Sequence, residues 1–98
     1  MTCIALPLPR PHPAVEGHFP GAPILPGAVL LDEALHAIES AEAVGARHWR
    51  IGSVKFLGAV SGDGTLLLDY ERTASGTFRF TIRDGARPVA TGTLACHD

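Results

Sequence analysis

The chain has 98 residues and a mass of 10.3 kDa, enough for one small domain spanning residues 1–98. Eight Lys and Arg stand against ten Asp and Glu, a formal net charge of −2. That balance lacks the basic excess usual in a nucleic-acid binder, and with Lys55 the single lysine beside seven arginines there is no Lys-rich tail. Hydrophobic residues at 46% and charged ones at 18% exclude a disordered composition. So short a chain still buries only a modest share of its surface, so a metal, a disulfide or a partner subunit is the expected source of further stability.

The two cysteines, Cys3 and Cys96, sit near opposite ends and have no C-x-x-C or Cys/His ligand spacing. A structural zinc site is therefore not expected. A disulfide between them requires neighbouring terminal strands, and two buried or half-buried thiols are the preferred expectation. Residues 1–13 carry Pro7, Pro9, Pro11 and Pro13 and no basic stretch followed by an apolar one, which argues against a signal peptide. No apolar run approaches the length of a membrane span. The expected location is the cytoplasm.

Thr2 to Leu8 reads as a short strand. Pro9 to Pro26 is a proline-rich loop with Phe19 as its only aromatic residue. Pro20, Pro23 and Pro26 stiffen it, since each fixes its own φ and restricts the residue before it. A long stiff loop in a small protein points to function. Ala28 to Ala43 predicts a helix: Leu31, Ala34, Leu35, Ile38 and Ala41 recur at helical spacing without Pro or Gly, and Gly45 is a stop signal.

Four strands follow in the sequence pattern. Trp49 to Val60 ends at the turn Ser61-Gly62-Asp63-Gly64, and Thr65 to Thr73 alternates at Leu66, Leu68 and Tyr70. Gly76 to Arg83 alternates Phe78, Phe80 and Ile82 against Arg79, Thr81 and Arg83. Asp84-Gly85 signals a hairpin, and Pro88 to Cys96 closes the chain. The predicted class is α+β, one helix packed against an antiparallel meander.

The segment richest in chemistry is GHFPGAPILPGAVLLDEALHAI, residues 17–38. His18 lies in the stiff loop, and the prolines and Gly27 lead straight into the helix. Asp32 falls fourteen residues beyond His18, in the second helical turn. A helix N-terminus offers free N–H groups and a positive dipole end to an acyl oxygen. A histidine on a rigid loop and a carboxyl on an apolar helix form a candidate acid–base pair.

These residues resemble the signature of bacterial 3-hydroxyacyl-[acyl carrier protein] dehydratases of the FabA and FabZ types. Val54-Lys55-Phe56-Leu57, Ser61 to Leu66 and Phe80 to Leu94 are similar to later segments of the same family, so the likeness runs from Val15 to Leu94. It implies the hotdog fold, one long central helix wrapped by an antiparallel sheet, and no cofactor. His18 matches the catalytic histidine and Asp32 the catalytic carboxyl. Gly27 matches the glycine whose N–H polarises the thioester carbonyl. Glu33 is an alternative acid one residue away, and His36 replaces a family glutamine one turn after Asp32. The N-terminal segment is shorter than in the longer enzymes.

The resemblance implies elimination of water from a 3-hydroxyacyl thioester on acyl carrier protein, in fatty-acid or polyketide-like lipid synthesis. His18 takes the C2 proton, Gly27 N–H steadies the enolate-like oxygen, and Asp32 protonates the departing hydroxyl. That role asks for a carboxyl kept protonated by burial among Leu31, Leu35 and Ile38. The histidine and acid come from different subunits in the family, which implies a homodimer, a heterodimer with a related hotdog subunit, or a higher oligomer. Arg47, Arg50, Arg72, Arg79, Arg83 and Arg87 are either a docking surface for an acidic carrier or ordinary solvated charges. The alternatives are a hotdog thioesterase, a non-catalytic or half-site subunit, and an acyl-binding module.

Overall fold

The computed structural model describes residues 1–6, 27–42, 48–58 and 66–97. Its elements are β1 (Thr2–Ala5), α1 (Gly27–Glu42), β2 (His48–Phe56), β3 (Leu66–Arg72), β4 (Thr77–Asp84) and β5 (Arg87–His97). The proline-rich loop, Gly45 and the turn 61–64 lie outside the described residues. All strand pairings are antiparallel, in the order β1-β3-β4-β5-β2.

That order corrects the meander expected from the sequence. Only β3, β4 and β5 follow one another across the sheet. β2 pairs with β5 and β1 with β3, so the two strands flanking the helix in sequence form opposite edges. Two tight turns join the central three strands. Thr73 N–H donates to Thr77 O at 2.8 Å, with Gly76 at φ 85°. Gly85 sits at φ 64° between the paired Asp84 and Arg87. Both backbone conformations are ones that side-chain-bearing residues rarely adopt.

The alternation read from β3 and β4 is the alternation observed. Leu68 stands opposite Ile82, Tyr70 opposite Phe80, and Phe78 opposite Leu94. Directly opposed residues share a face, and all six are buried. Against this face lies the α1 ridge Leu30, Ala34 and Ile38. The expected ridge included Leu31, Leu35 and Ala41, but the first two are half-buried and Ala41 is exposed. An i, i+4 row with alanine at its centre lets the helix approach an aromatic-rich sheet closely.

Phe78 anchors this core. Trp49 and Tyr70 rings each lie 6.0 Å from its centroid, tilted and edge-on, and the Arg72 guanidinium stands 5.4 Å over it. Tyr70 O–H donates to Glu42 Oε2 at 2.6 Å, tying the last helical turn to β3. Burial first, then the Glu42 contact, raises the tyrosine pKa.

Cover over β2 is incomplete. Ile51 and Phe56 are 50% and 52% exposed, and Leu57 beyond the strand 56%. Cys3 on β1 and Cys96 on β5 have β3 and β4 between them. Three strand spacings, roughly 14 Å, exceed the reach of a disulfide. Cys3 is a free, exposed thiol, contrary to the expected burial.

On the other face, Arg83 pairs with Asp69 and donates from Nη1 to Gly85 O at 2.8 Å. The Arg83 hydrogen bond holds the Asp69 carboxyl below the usual carboxylate range. The hydrogen bond to Asp69 raises the Cys3 thiol pKa.

Phe78→Ala is expected to destabilise the fold by about 3–5 kcal/mol, read from denaturant midpoints. The depressed Asp69 pKa stabilises the fold above the unfolded carboxyl range. That contribution is lost as pH falls through the folded value. The midpoint gap between wild type and Asp69→Asn should therefore narrow as pH falls from neutrality through and below the usual carboxyl range.

Candidate active site

Gly27 opens α1 and is half-buried. Its N–H is one of the helix-start donors that lack an acceptor within the helix. Phe56, the last residue of β2, closes over it. A Cβ at position 27 would stand 2.8 Å from Phe56 Cε1 and 2.9 Å from Cζ. Glycine is thus what lets the aromatic ring approach the helix start. Nothing local in the sequence links residues so far apart, and this contact was not read from it.

Asp32 lies in the second turn on the side turned away from the Leu30–Ala34–Ile38 ridge, as helical periodicity requires. Its side chain is 64% exposed, so the expected burial among Leu31, Leu35 and Ile38 is not found in the single chain. His36 follows at i+4 and is equally exposed, with Nδ1 3.6 Å from Asp32 Oδ2. Four residues are one turn, so the two side chains stand one above the other.

Glu33 is half-buried and faces elsewhere. Together with His36, Ala37 and Ser40 it lines an open groove of about 310 Å³ against Ile4 and Ala5 of β1. His36 therefore borders both the Asp32 carboxyl and this groove. The helix brings Asp32 and His36 together, and Phe56 and Gly27, while it turns Glu33 toward β1. His18 lies outside the described residues. Among the described residues no cluster of His, Cys, Asp and Glu is suited to hold a metal ion.

The arginines are mostly engaged within the sheet. Arg79 bonds to Glu71 at 3.3 Å, Arg83 to Asp69 and Arg87 to Asp84 at 3.2 Å, while Arg72 lies on Phe78. Arg50 is exposed, and Arg47 lies outside the described residues. These pairings favour the reading of ordinary strand charges over a dedicated docking surface.

One helix seated on a five-stranded antiparallel sheet in this order is the hotdog fold, and solved hotdog proteins superpose on it. The dehydratase heterocomplex ApeI:P from Xenorhabdus doucetiae is 28% identical, with 97% of this chain and 86% of that chain covered and a TM-score of 0.75. An uncharacterized protein from Erwinia carotovora subsp. atroseptica is 27% identical over 97% of this chain and 81% of its own, with a TM-score of 0.69. A variant of the fluoroacetyl-CoA-specific thioesterase FlK, at 18% identity, 97% and 87% coverage and a TM-score of 0.69, shares the fold alone. No curated protein matches the sequence. The model of the ApeI-like family, described as ApeI dehydratase, matches residues 2–93. The chain belongs to the ApeI-like dehydratase family, a hotdog dehydratase family, rather than specifically to the FabA or FabZ types.

The contact at the helix start has a measurable signature. Gly27→Ala should destabilise the wild-type fold, because the new methyl group must displace the Phe56 ring. In a Phe56→Ala background the same change should be close to neutral or stabilising, since alanine is favoured over glycine in a helix by up to about 1 kcal/mol. A double-mutant denaturation cycle gives the difference; additive effects would disprove the contact.

Proposed function

We propose that this protein converts a 3-hydroxyacyl thioester, carried on acyl carrier protein, to the trans-2-enoyl thioester. Membership of the ApeI-like dehydratase family over residues 2–93 carries the reading. The HFPG segment with His18 and the fourteen-residue spacing to Asp32 add the chemistry. The FabA- and FabZ-like motif supports a carrier-bound substrate and a cytoplasmic role in fatty-acid or polyketide-like lipid synthesis.

In this reading, neutral His18 takes the C2 proton as a general base. Negative charge then develops on the thioester oxygen, and the Gly27 N–H with the positive helix end stabilises it. Asp32 gives a proton to the 3-hydroxyl, which leaves as water as the C2–C3 double bond forms. The outward-turned Asp32 supports a site completed by a second subunit, with His18 supplied across the interface. The half-exposed Ile51 and Phe56 on edge strand β2 support burial against that subunit.

Pairing with a related hotdog chain is the favoured form of a second reading, since the similar ApeI:P structure is a heterocomplex. There this chain contributes one half-site, and activity requires the partner. Co-purification and size-exclusion chromatography separate a homodimer from such a pair.

The test is turnover of 3-hydroxyacyl carrier substrates, with enoyl product and free thiol measured together. Enoyl product should form without thiol release, and His18→Ala should abolish it with an unchanged circular dichroism spectrum. Thiol release without enoyl product would favour a thioesterase. Turnover undiminished by His18→Ala would overturn the proposed chemistry.

A further inference from the structure

The proposed elimination needs a carboxyl that holds a proton, yet the Asp32 side chain is 64% exposed in the single chain. Each turnover also strips that carboxyl of its proton, so the site must return one. Among the described residues, the group placed to supply one is the His36 imidazole, its Nδ1 3.6 Å from Asp32 Oδ2. We infer that His36 supplies, through Asp32, the proton that leaves with the hydroxyl. The two side chains then act as a pair that carries one proton. This inference rests on the dehydratase reading and specifies how its acid is recharged.

The geometry allows the transfer. Both side chains are exposed, so small rotations shorten 3.6 Å to hydrogen-bond distance, as commonly happens when a site fills. Covering the pair with substrate or a second subunit removes water and penalises the charge-separated form, carboxylate beside imidazolium. The proton therefore moves from Nδ1 to the carboxyl oxygen, leaving neutral imidazole and a carboxylic acid ready to donate. The ionisable groups of α1 one turn from His36 are Asp32 at i−4, Glu33 at i−3 and Glu39 at i+3, with the Ser40 hydroxyl at i+4. Among the described residues of β1, the uncharged Ile4 and Ala5 line that groove.

The balance closes over a turnover. The C2 proton passes to His18, the C3–O bond breaks, and the hydroxyl takes the Asp32 proton and departs as water. Asp32 is left as carboxylate beside an imidazole that solvent reprotonates, while His18 returns its proton to solvent. No oxidant, reductant or co-reactant is needed. His36 acts through Asp32 and does not itself touch the substrate, so it is a positioning and proton-supplying residue.

The test compares pH–rate profiles of wild type, His36→Gln, His36→Ala, Asp32→Asn and His18→Ala, assayed in the assembly that turns over. Glutamine preserves a hydrogen bond to Asp32 but carries no transferable proton. His36→Gln should lower kcat about 10- to 100-fold at pH 7 with KM little changed. The loss should be smaller at acid pH than at neutral pH, a dependence that a merely structural role would not produce. Free imidazole should partly restore His36→Ala but not the His36→Ala/Asp32→Asn double variant. If His36→Gln keeps the wild-type rate and profile while Asp32→Asn and His18→Ala are inactive, the relay is wrong and the dehydratase reading stands. If neither Asp32→Asn nor His18→Ala lowers turnover, that reading falls and the relay falls with it.

Discussion

The seam between the Leu30–Ala34–Ile38 ridge and the inner face of the sheet governs the rest of the molecule. Leu68, Phe78, Phe80, Ile82 and Leu94 form a continuous apolar floor, and burial on it is the main force seating the helix. A helix seated along three residues has one rotation left to it. With 30, 34 and 38 inward, 32 and 36 must point outward and 33 toward the β1 side. Asp32 and His36 thus become neighbours on an open face, and the placement of the candidate acid follows from packing that touches neither residue.

The same seam leaves something undone. One sixteen-residue helix covers the inner rows of β3, β4 and β5 but leaves β2 at the edge with Ile51 and Phe56 half exposed. Stability and chemistry then ask for the same thing. In the proposed assembly, a second hotdog chain would bury this edge and exclude water from the helix face bearing Asp32, strengthening every electrostatic interaction there. Phe56 links the two demands, half exposed on the edge strand and with its ring packed against Gly27.

Much of the fold was legible in the sequence because it is written locally. The period-two alternation at Leu66–Tyr70 and Phe78–Ile82, the Asp84-Gly85 turn and the uninterrupted helix former run all reflect neighbours in the chain. The strand order was not legible. β2 pairs with β5 rather than with β3, a choice made by long-range packing around the helix. Helical rotation was missed by about one residue for a similar reason: Leu31 and Leu35 are as apolar as Leu30, and only the shape of the sheet selects among them. The family resemblance singles out His18, Gly27 and Asp32 in the sequence, whereas the exposure of Asp32 and the Phe56–Gly27 contact depend on tertiary structure. His36 was noticed only as a departure, and its distance to Asp32 gives it a role to test.

Subunit complementation tests the central claim most directly, that the helix face bearing Asp32 is half of a site shared between chains. Asp32→Asn and His18→Ala proteins, each inactive alone, are mixed, allowed to exchange subunits and assayed for dehydration. In a symmetric dimer, random exchange places both lesions in one site of each mixed dimer and leaves the other intact. The account predicts recovery to about a quarter of wild-type activity. No recovery after demonstrated exchange would contradict it, because both residues would then serve a site within one chain.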